Sequence, residues 1–397
     1  MSFIQETFTT NFFTKVFEKQ IANFKKALNI DVSKVTAAEE SFTSELLRIR
    51  VTYSTKTGEN DAVVSVFVKL LKDDEELKVM NNDFTLYDNE ATVYEELLPL
   101  MSKMGFKQKI GPKAYLTSNH PRSMLIIEDM SALGYKMSNR QEGLDLKHCL
   151  VVLKKLAVFH ATSAVLLENN PQLLTMFIRK PRGSGTIAST FASVVHQEFS
   201  NTLSEIPGLQ MYLKSIPTVE DLTHKALAAK TQNFTLTVLN HADLWCNNIL
   251  FQYQPNGEVI DAVFVDYQLS YIGSPCIDLH YFFATSLKSK NKVIIIDTLL
   301  NYYFDELLSN LKTLNVDNAP TRKELHADFK ERSILGYAVL CRSVPLMRAN
   351  NQSPATLQRF LDEGGKNSFR YHCFNNVNYV EELRQLLPFY DNLGAFD

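Results

Sequence analysis

The sequence predicts an α+β fold in two lobes: a small β-rich lobe over residues 1–130 and a larger, mainly helical lobe over residues 131–397. Two runs rich in branched apolar residues, LLRIRVTY and AVVSVFVKLL, flank the polar turn STKTGEN. They predict an antiparallel hairpin between Glu45 and Leu71. After a further short strand, Met124 to Met130, helical patterns dominate and only one more clear hairpin follows. A chain of 397 residues is long enough to bury a core in each part.

The composition is that of an ordinary folded protein and narrows the function classes. Hydrophobic residues make up 45% of the chain, and a formal net charge of -3 gives no footprint for nucleic acid. Five cysteines without a C-x-x-C pair argue against a disulfide framework and a zinc site. The N-terminus lacks the pattern of a signal peptide, and no apolar run approaches the roughly 20 residues that span a bilayer. The sequence therefore predicts a soluble cytoplasmic protein with neither a nucleic-acid nor a membrane partner.

The first element of the chain is predicted to be a helix that packs on the body of the protein. Its apolar residues recur at the spacing of one helix face, with lysines on the opposite side. These apolar residues are Phe13, Phe17, Ile21, Phe24 and Leu28.

A charged pair is predicted next to the first hairpin. Lys69 ends the apolar run VSVFVK, and a helix is predicted from about Asp83 to Leu98, ending before or at Pro99. Glu90 lies on the buried stripe of this helix, whose other members are Tyr87, Ala91, Tyr94 and Leu98. Because an unpaired buried carboxylate is costly, we expect Glu90 to pair with Lys69.

The second hairpin carries the strongest functional signal. The stretch NHADLWCNNILF, Asn240 to Phe251, is followed by the turn QPNG, Gln254 to Gly257, and by the returning run EVIDAVFVDYQ. An antiparallel hairpin brings its two open ends together. We therefore expect Asp243, Asn248 and Asp266 to converge at one end of this hairpin.

These three side chains suit phosphoryl transfer. Magnesium prefers oxygen ligands and is usually bound by one or two protein groups together with substrate phosphates. A further carboxylate can accept the proton of an attacking hydroxyl, and the spacing matches the H-x-D-x-x-x-x-N pattern followed by a metal-binding aspartate. The alternative is a polar loop that merely caps a hairpin.

These motifs resemble the ecdysteroid kinase-like family, within the aminoglycoside and choline kinase relatives that share the protein-kinase-like fold. FVKLL, then Phe84 and Glu90-x-x-x-Tyr94, is similar to the strand-lysine and helix-glutamate segment of that family. LIIEDM resembles its hinge, LAVFHATSAVL its long helix, and HADLWCNNILF with VFVDYQLSYIGSPCIDLHYF its catalytic block. The resemblance runs from about Val35 to beyond Phe283.

The resemblance implies a role for each candidate residue. Asp243 would be the catalytic base, and Asn248 and Asp266 would be the magnesium ligands. Lys69, oriented by Glu90, would hold the α- and β-phosphates of ATP.

The remaining candidate residues lie in the hinge and beside the catalytic loop. Glu128 and Asp129 would mark the hinge near the adenine, where main-chain groups bind the base. His241 and Asp278 would brace the catalytic loop as structural support.

Two positions depart from the family pattern. The glycine-containing turn of the family is replaced by EESFTS, Glu39 to Ser44, which keeps Phe42 and Ser44 but has no glycine. By the resemblance, Ser44 would contact the nucleotide. Without glycine the backbone approaches phosphates less closely, so weak nucleotide affinity is expected. Ala242 stands where glycine is usual, a small change that we expect to be tolerated.

The function expected from these observations is ATP- and magnesium-dependent phosphorylation of a hydroxyl on an ecdysteroid-like or other apolar alcohol. The aromatic residues near the motif either line an apolar acceptor pocket or belong to the core; they are Trp245, Tyr267, Tyr281, Phe282 and Phe283. One alternative is a choline- or aminoglycoside-type kinase, for which the acids of the C-terminal stretch YVEELRQLLPFYDNLGAFD offer support. Another is a catalytically weak or inactive protein that binds a hydrophobic ligand.

Overall fold

A computed structural model shows how the chain is divided. The structure describes residues 3–35, 44–58, 60–72, 85–177, 186–288, 292–349 and 357–397. The first unit consists of Met1–Pro99 with Gly111–Lys136, and the second of Leu100–Ile110 with Met137–Asp397. The predicted fold class is confirmed, because an antiparallel sheet forms the first unit and helices dominate the second. The predicted lobe boundary at residue 130 differs from this division mainly in that residues 100–110 belong to the second unit.

A five-stranded antiparallel sheet in the order β1-β2-β3-β5-β4 forms the body of the first unit. Its strands are β1 (Phe24–Lys34), β2 (Ser44–Thr55), β3 (Asp61–Leu71), β4 (Ala114–Ser118) and β5 (Met124–Glu128). The predicted hairpin is the pair β2 and β3, in which Leu46 lies opposite Lys69. Alternate residues of both strands are buried, so one face of the sheet closes the core.

The prediction of one N-terminal helix through Leu28 is wrong. The chain forms two short helices, α1 (Phe3–Thr7) and α2 (Thr10–Phe17), and then enters β1. Phe24 opens that strand opposite Thr55, and Leu28, farther along it, is 47% exposed. Phe13, Phe17 and Phe24 still share one core cluster. The main-chain pairing with β2 overrides a helical spacing that was only local.

The helix that carries Glu90 ends later than predicted. It runs as α3 (Leu86–Thr92), a π-helical turn (Val93–Leu97) and α4 (Leu98–Ser102), so it passes through Pro99. Pro99 is the second residue of α4, just past the π turn that interrupts the regular hydrogen-bond ladder, and a proline is tolerated in the first turn of a helical segment. Asp83 and Phe84 lie outside the described residues.

The second unit is mostly helical. Its helices are α5 (Leu146–Asn169), α6 (Pro171–Phe177), α7 (Thr186–Glu205), α8 (Val219–Thr231), α9 (Cys276–Thr285), α10 (Lys292–Thr313), α11 (Arg322–Glu331), α12 (Ser333–Arg342), α13 (Val344–Met347), α14 (Leu357–Asp362), α15 (Phe369–Phe374) and α16 (Val377–Asn392). Short strands complete the structure: β6 (Lys136–Met137), β7 (Val238–Asn240), β8 (Ile249–Tyr253), β9 (Val259–Phe264) and β10 (Tyr271–Gly273).

One helix corrects the prediction that no segment is long and apolar enough to cross a membrane. Within the described residues, α5 meets that criterion by length and composition. Of its most apolar stretch, 72% is buried inside the protein. Such burial is what a core helix of a folded domain requires, and the helix packs against α10.

The predicted second hairpin is formed by β8 and β9, in which Ile249 lies opposite Phe264. A tight turn joins the strands, with Gly257 in the left-handed region at a φ of 84°. Asn248 immediately precedes β8, and its carbonyl oxygen accepts a hydrogen bond from the backbone N–H of Val265, 3.0 Å away. This bond holds the two open ends of the hairpin side by side.

Candidate active site

The carboxylate of Asp243 is held from both oxygens. The hydroxyl of Tyr281 donates to its Oδ1 at 2.5 Å, and Nδ2 of Asn248 donates to its Oδ2 at 2.9 Å. The same Nδ2 also donates to the backbone carbonyl of Asp243 at 2.9 Å. The side chain of Asp243 is therefore fixed by donors from both sides of the loop.

The surroundings of Asp243 disfavour the ionised form of its carboxyl group. Burial raises the pKa of Asp243 to about 7, and the nearby charges of Asp266 and Asp278 act in the same direction. The hydrogen bonds from Tyr281 and Asn248 act in the opposite direction and lower the pKa. A carboxyl group with a pKa near neutrality is suited to accept a proton at physiological pH.

Asp266 lies at the same end of the hairpin as Asn248. It follows the end of β9 by two residues, and its backbone is left-handed, with a φ of 68°. Nε2 of Gln268 donates to its Oδ2 at 3.4 Å. The structure thus brings Asp243, Asn248 and Asp266 together, as expected from the spacing and the turn.

The donor set at this end of the hairpin fits magnesium. The Asn248 side chain contacts Asp243 twice, both times through its amide nitrogen, so the amide oxygen points away from Asp243 and can face a cation. With the carboxylate of Asp266 it offers two hard oxygen ligands. Among the described residues no group of three or more histidine, cysteine, aspartate or glutamate side chains could hold a metal ion. A cation here would need further ligands from water or from a bound phosphate.

Asp278 braces the loop from α9. Its Oδ2 accepts from the backbone N–H of His241 at 2.7 Å, and its Oδ1 accepts from that of Ala242 at 2.8 Å. His241 is fully buried, its Nε2 contacts the carbonyl of Val265 at 2.9 Å, and burial lowers its pKa. Ala242 has a φ of 64°, which explains why glycine is usual at this position.

A second histidine joins this support and was not singled out from the sequence. His160 on α5 is buried, with Nε2 at 3.1 Å from Oδ2 of Asp278 and Nδ1 at 2.6 Å from the hydroxyl of Tyr303. Its only sequence signal is a polar residue inside the apolar stretch LAVFHATSAVL. Tyr281 was noted only as a possible pocket residue, since a sequence does not show which atom a helical tyrosine reaches.

The neighbouring aromatic residues divide between site and core. Tyr267, Phe282 and Phe283 are fully buried, so these three belong to the core and not to an open acceptor pocket. Tyr281 is partly exposed and contacts Asp243.

The first unit contains the predicted charged pair. Nζ of Lys69 lies 2.7 Å from Oε2 of Glu90, and the side chains are 12% and 4% exposed. Lys69 on β3 and Glu90 on α3 are therefore brought together as expected. Ser44 is buried at the first residue of β2. The turn before it, including Glu39, Glu40 and Phe42, lies outside the described residues.

The side chains of the expected hinge have structural partners within the first unit. Oε2 of Glu128 accepts from the backbone N–H of Lys113 at 3.2 Å. Asp129 is buried and accepts from Ser65 at 2.6 Å and from Nε of Arg48 at 2.9 Å. Burial alone would raise its pKa, but hydrogen bonds from Ser131 and Ser65 and the charge of Arg48 lower it. The Asp129 side chain therefore stabilises the turn, and main-chain recognition of adenine stays a prediction.

A comparison with known families identifies the chain. The ecdysteroid kinase-like family matches residues 38–316, well over half of the sequence. The chain belongs to the ecdysteroid kinase-like family. Membership indicates a small-molecule kinase, a phosphotransferase by class. No curated protein matches the chain.

Solved structures of small-molecule kinases resemble the chain at low identity. An ethanolamine kinase of Plasmodium vivax is 12% identical, with a TM-score of 0.46, over 92% of this chain and 84% of that one. A choline/ethanolamine kinase family protein from Mesorhizobium loti is 13% identical, with a TM-score of 0.40, over 92% of each chain. A putative aminoglycoside phosphotransferase from Ralstonia eutropha is 10% identical, with a TM-score of 0.45, over 95% and 99%.

Proposed function

We propose that this protein is a cytoplasmic, ATP-dependent kinase that phosphorylates a hydroxyl of an ecdysteroid-like or other apolar alcohol. The observation that carries the proposal is the Asp243 carboxylate, held by Tyr281 and Asn248 beside Asp266 at the open end of the hairpin. A positioned carboxylate next to oxygen ligands is the arrangement that phosphoryl transfer needs.

In the proposed reaction Asp243 orients the acceptor hydroxyl and takes its proton as the oxygen attacks the γ-phosphorus of ATP. The bond from the γ-phosphorus to the bridging oxygen breaks, and ADP leaves. Asn248 and Asp266 would hold magnesium, which supplies neutralisation of the phosphate charge when bound. Asp278 keeps the loop in place through the backbone of His241 and Ala242.

In the first unit Lys69 would hold the α- and β-phosphates. Its pairing with Glu90 directs the ammonium group and limits the freedom of its side chain. Glu128 and Asp129 would contribute main-chain groups for the adenine, and Ser44 would contact the nucleotide from the start of β2.

The acceptor class rests on the family and on one observation at the C-terminus. A cationic acceptor such as choline would favour free carboxylates, and α16 carries Glu382. That carboxylate is buried and already contacts Nζ of Lys292 at 3.1 Å and Nε of Arg348 at 2.9 Å. One of the acids that supported a cationic acceptor is thus engaged with two buried cations, so it offers no support for a cationic acceptor.

The test is transfer of the labelled γ-phosphate of ATP to three separate acceptor classes. These are an ecdysteroid, choline, and an aminoglycoside, each with magnesium. Transfer to the ecdysteroid and not to the cations is expected. Transfer only to a cation would replace the proposed acceptor class, and ecdysteroid binding without any transfer would favour a ligand-binding protein instead.

A further inference from the structure

Helix α9 reaches the loop of Asp243 at two points, one helical turn apart. Asp278 accepts the backbone N–H groups of His241 and Ala242, and Tyr281 donates to the side chain of Asp243. Residues three apart lie on the same face of a helix, so both groups leave α9 in one direction. A single rigid element therefore holds both the backbone and the side chain of this loop.

The contact of Tyr281 differs in kind from that of Asp278. Rotation about the Cβ–Cγ bond moves both carboxylate oxygens of Asp243 together, and the bond from Asn248 to Oδ2 restrains this rotation at one oxygen only. The 2.5 Å bond from the Tyr281 hydroxyl to Oδ1 fixes the remaining rotation of the carboxylate plane.

The Tyr281 hydroxyl keeps its proton in this contact. Burial and the charge of Asp243 raise its pKa well above the ordinary range of a tyrosine. The phenol is therefore a lasting donor and not a proton acceptor.

We propose that Tyr281 is a positioning residue for Asp243, which it holds at the angle needed to accept the proton of the acceptor hydroxyl. The inference rests on the proposed function. It assigns to α9 the orientation of the base in addition to the bracing of the loop.

The experiment compares Tyr281→Phe with Tyr379→Phe. Both changes remove one tyrosine hydroxyl from the second unit, but that of Tyr379 donates to the carbonyl of Leu340 at 3.1 Å, away from the loop. Tyr281→Phe is expected to lower kcat about 10-fold or more, the value of one hydrogen bond to a charged group, with the KM for ATP unchanged. Tyr379→Phe is expected to leave both constants near the wild-type values.

A double-mutant cycle separates positioning from a general structural role. In an Asp243→Ala background Tyr281 has no carboxylate to hold, so Tyr281→Phe is expected to cause no further loss of residual turnover. The same four proteins are compared by thermal unfolding. Tyr281→Phe is expected to lower Tm in the wild type but not in the Asp243→Ala background.

Three results would overturn the inference: unchanged or faster turnover in Tyr281→Phe, an equal loss of turnover in both backgrounds, or an equal fall of Tm in both. Faster turnover would mean that the phenol blocks the acceptor. If the wild type transfers phosphate to no acceptor, the proposed function fails, and the unfolding cycle still decides whether Tyr281 holds Asp243.

Discussion

In the first unit Lys69 and Glu90 form a matched pair, 2.7 Å apart and largely withdrawn from solvent. In the second unit the loop before β8 gathers like charges, with Asp243 under the influence of Asp266 and Asp278. The groups that reach Asp243 are the neutral donors Tyr281 and Asn248. In the pair the two opposite charges compensate each other, whereas a cluster of carboxylates attracts a cation. This difference predicts which site depends on magnesium and which does not.

The largest effect is expected from Asp243→Asn, which removes the proton acceptor but keeps the side-chain shape. Loss of a general base typically lowers turnover about 10²- to 10⁴-fold. Steady-state turnover of the purified variant measures the loss. Binding of magnesium-ATP, followed by thermal shift, is expected to persist, because Asn248 and Asp266 are intact. Near-full turnover in this variant would remove Asp243 from the mechanism.

Removing only one charge of the Lys69–Glu90 pair should lower the free energy of unfolding more than removing both. Lys69→Met leaves Glu90 buried without the ammonium group, at an expected cost of roughly 3 kcal/mol in the free energy of unfolding. The double variant Lys69→Met with Glu90→Gln should recover part of this loss, because the buried carboxylate charge is then removed as well. Urea denaturation measures both. Additive losses in the double variant would show that the two groups are not energetically coupled.

Acid should remove the stabilisation that a neutral, buried histidine on α9 contributes to the second unit. His280 stacks on Phe329, with ring centroids 4.0 Å apart, and burial lowers its pKa from 6.5 to about 4. Between these values the unfolded chain binds the proton and the folded chain does not. The stabilisation is therefore complete above pH 6.5 and is lost as the pH falls towards 4, by about 3 kcal/mol at most.

Urea unfolding across this pH range measures the effect. His280→Gln is the matched control, since it keeps a donor that can reach the carbonyl of Phe329, which lies 2.8 Å from His280 Nε2. The difference between wild type and His280→Gln in the free energy of unfolding should therefore shrink as the pH falls from 6.5 towards 4. Equal slopes for both proteins would assign the acid sensitivity to other groups.

The smallest effect is expected from Ala242→Gly. The left-handed backbone of Ala242 costs about 1 kcal/mol for a residue with a side chain, and glycine avoids this cost but is more flexible when unfolded. A rise in Tm of a few degrees at most is therefore expected, with turnover unchanged. A clear fall in Tm would mean that the Ala242 methyl group makes a stabilising contact that outweighs the strain.

The sequence was informative wherever a pattern had a strict geometric consequence. The P-N-G turn between two apolar runs predicted the β8–β9 hairpin, and with it the meeting of Asn248 and Asp266. A charge at the end of an apolar strand and another on a buried helical stripe predicted the contact of Lys69 with Glu90.

The features that were missed depend on tertiary structure. The spacing of the phenylalanines before Leu28 fits a helix as well as a strand, and only the pairing of β1 with β2 selects the strand. The helix passes Pro99 because a π turn precedes it, which no local propensity signals. The contact of Tyr281 with Asp243 joins residues 38 positions apart and follows from the docking of α9 on the loop.

The most direct test of the carboxylate site in the second unit is thermal unfolding with and without magnesium-ATP. The proteins to compare are the wild type, Asp266→Ala, and Asp297→Ala as an exposed control on α10. A ligand at a hundredfold excess over its Kd stabilises the folded state by about 2.7 kcal/mol. The account predicts a magnesium-dependent rise in Tm for the wild type and Asp297→Ala that is lost in Asp266→Ala. An equal rise in all three proteins, or none in the wild type at millimolar nucleotide, would contradict it.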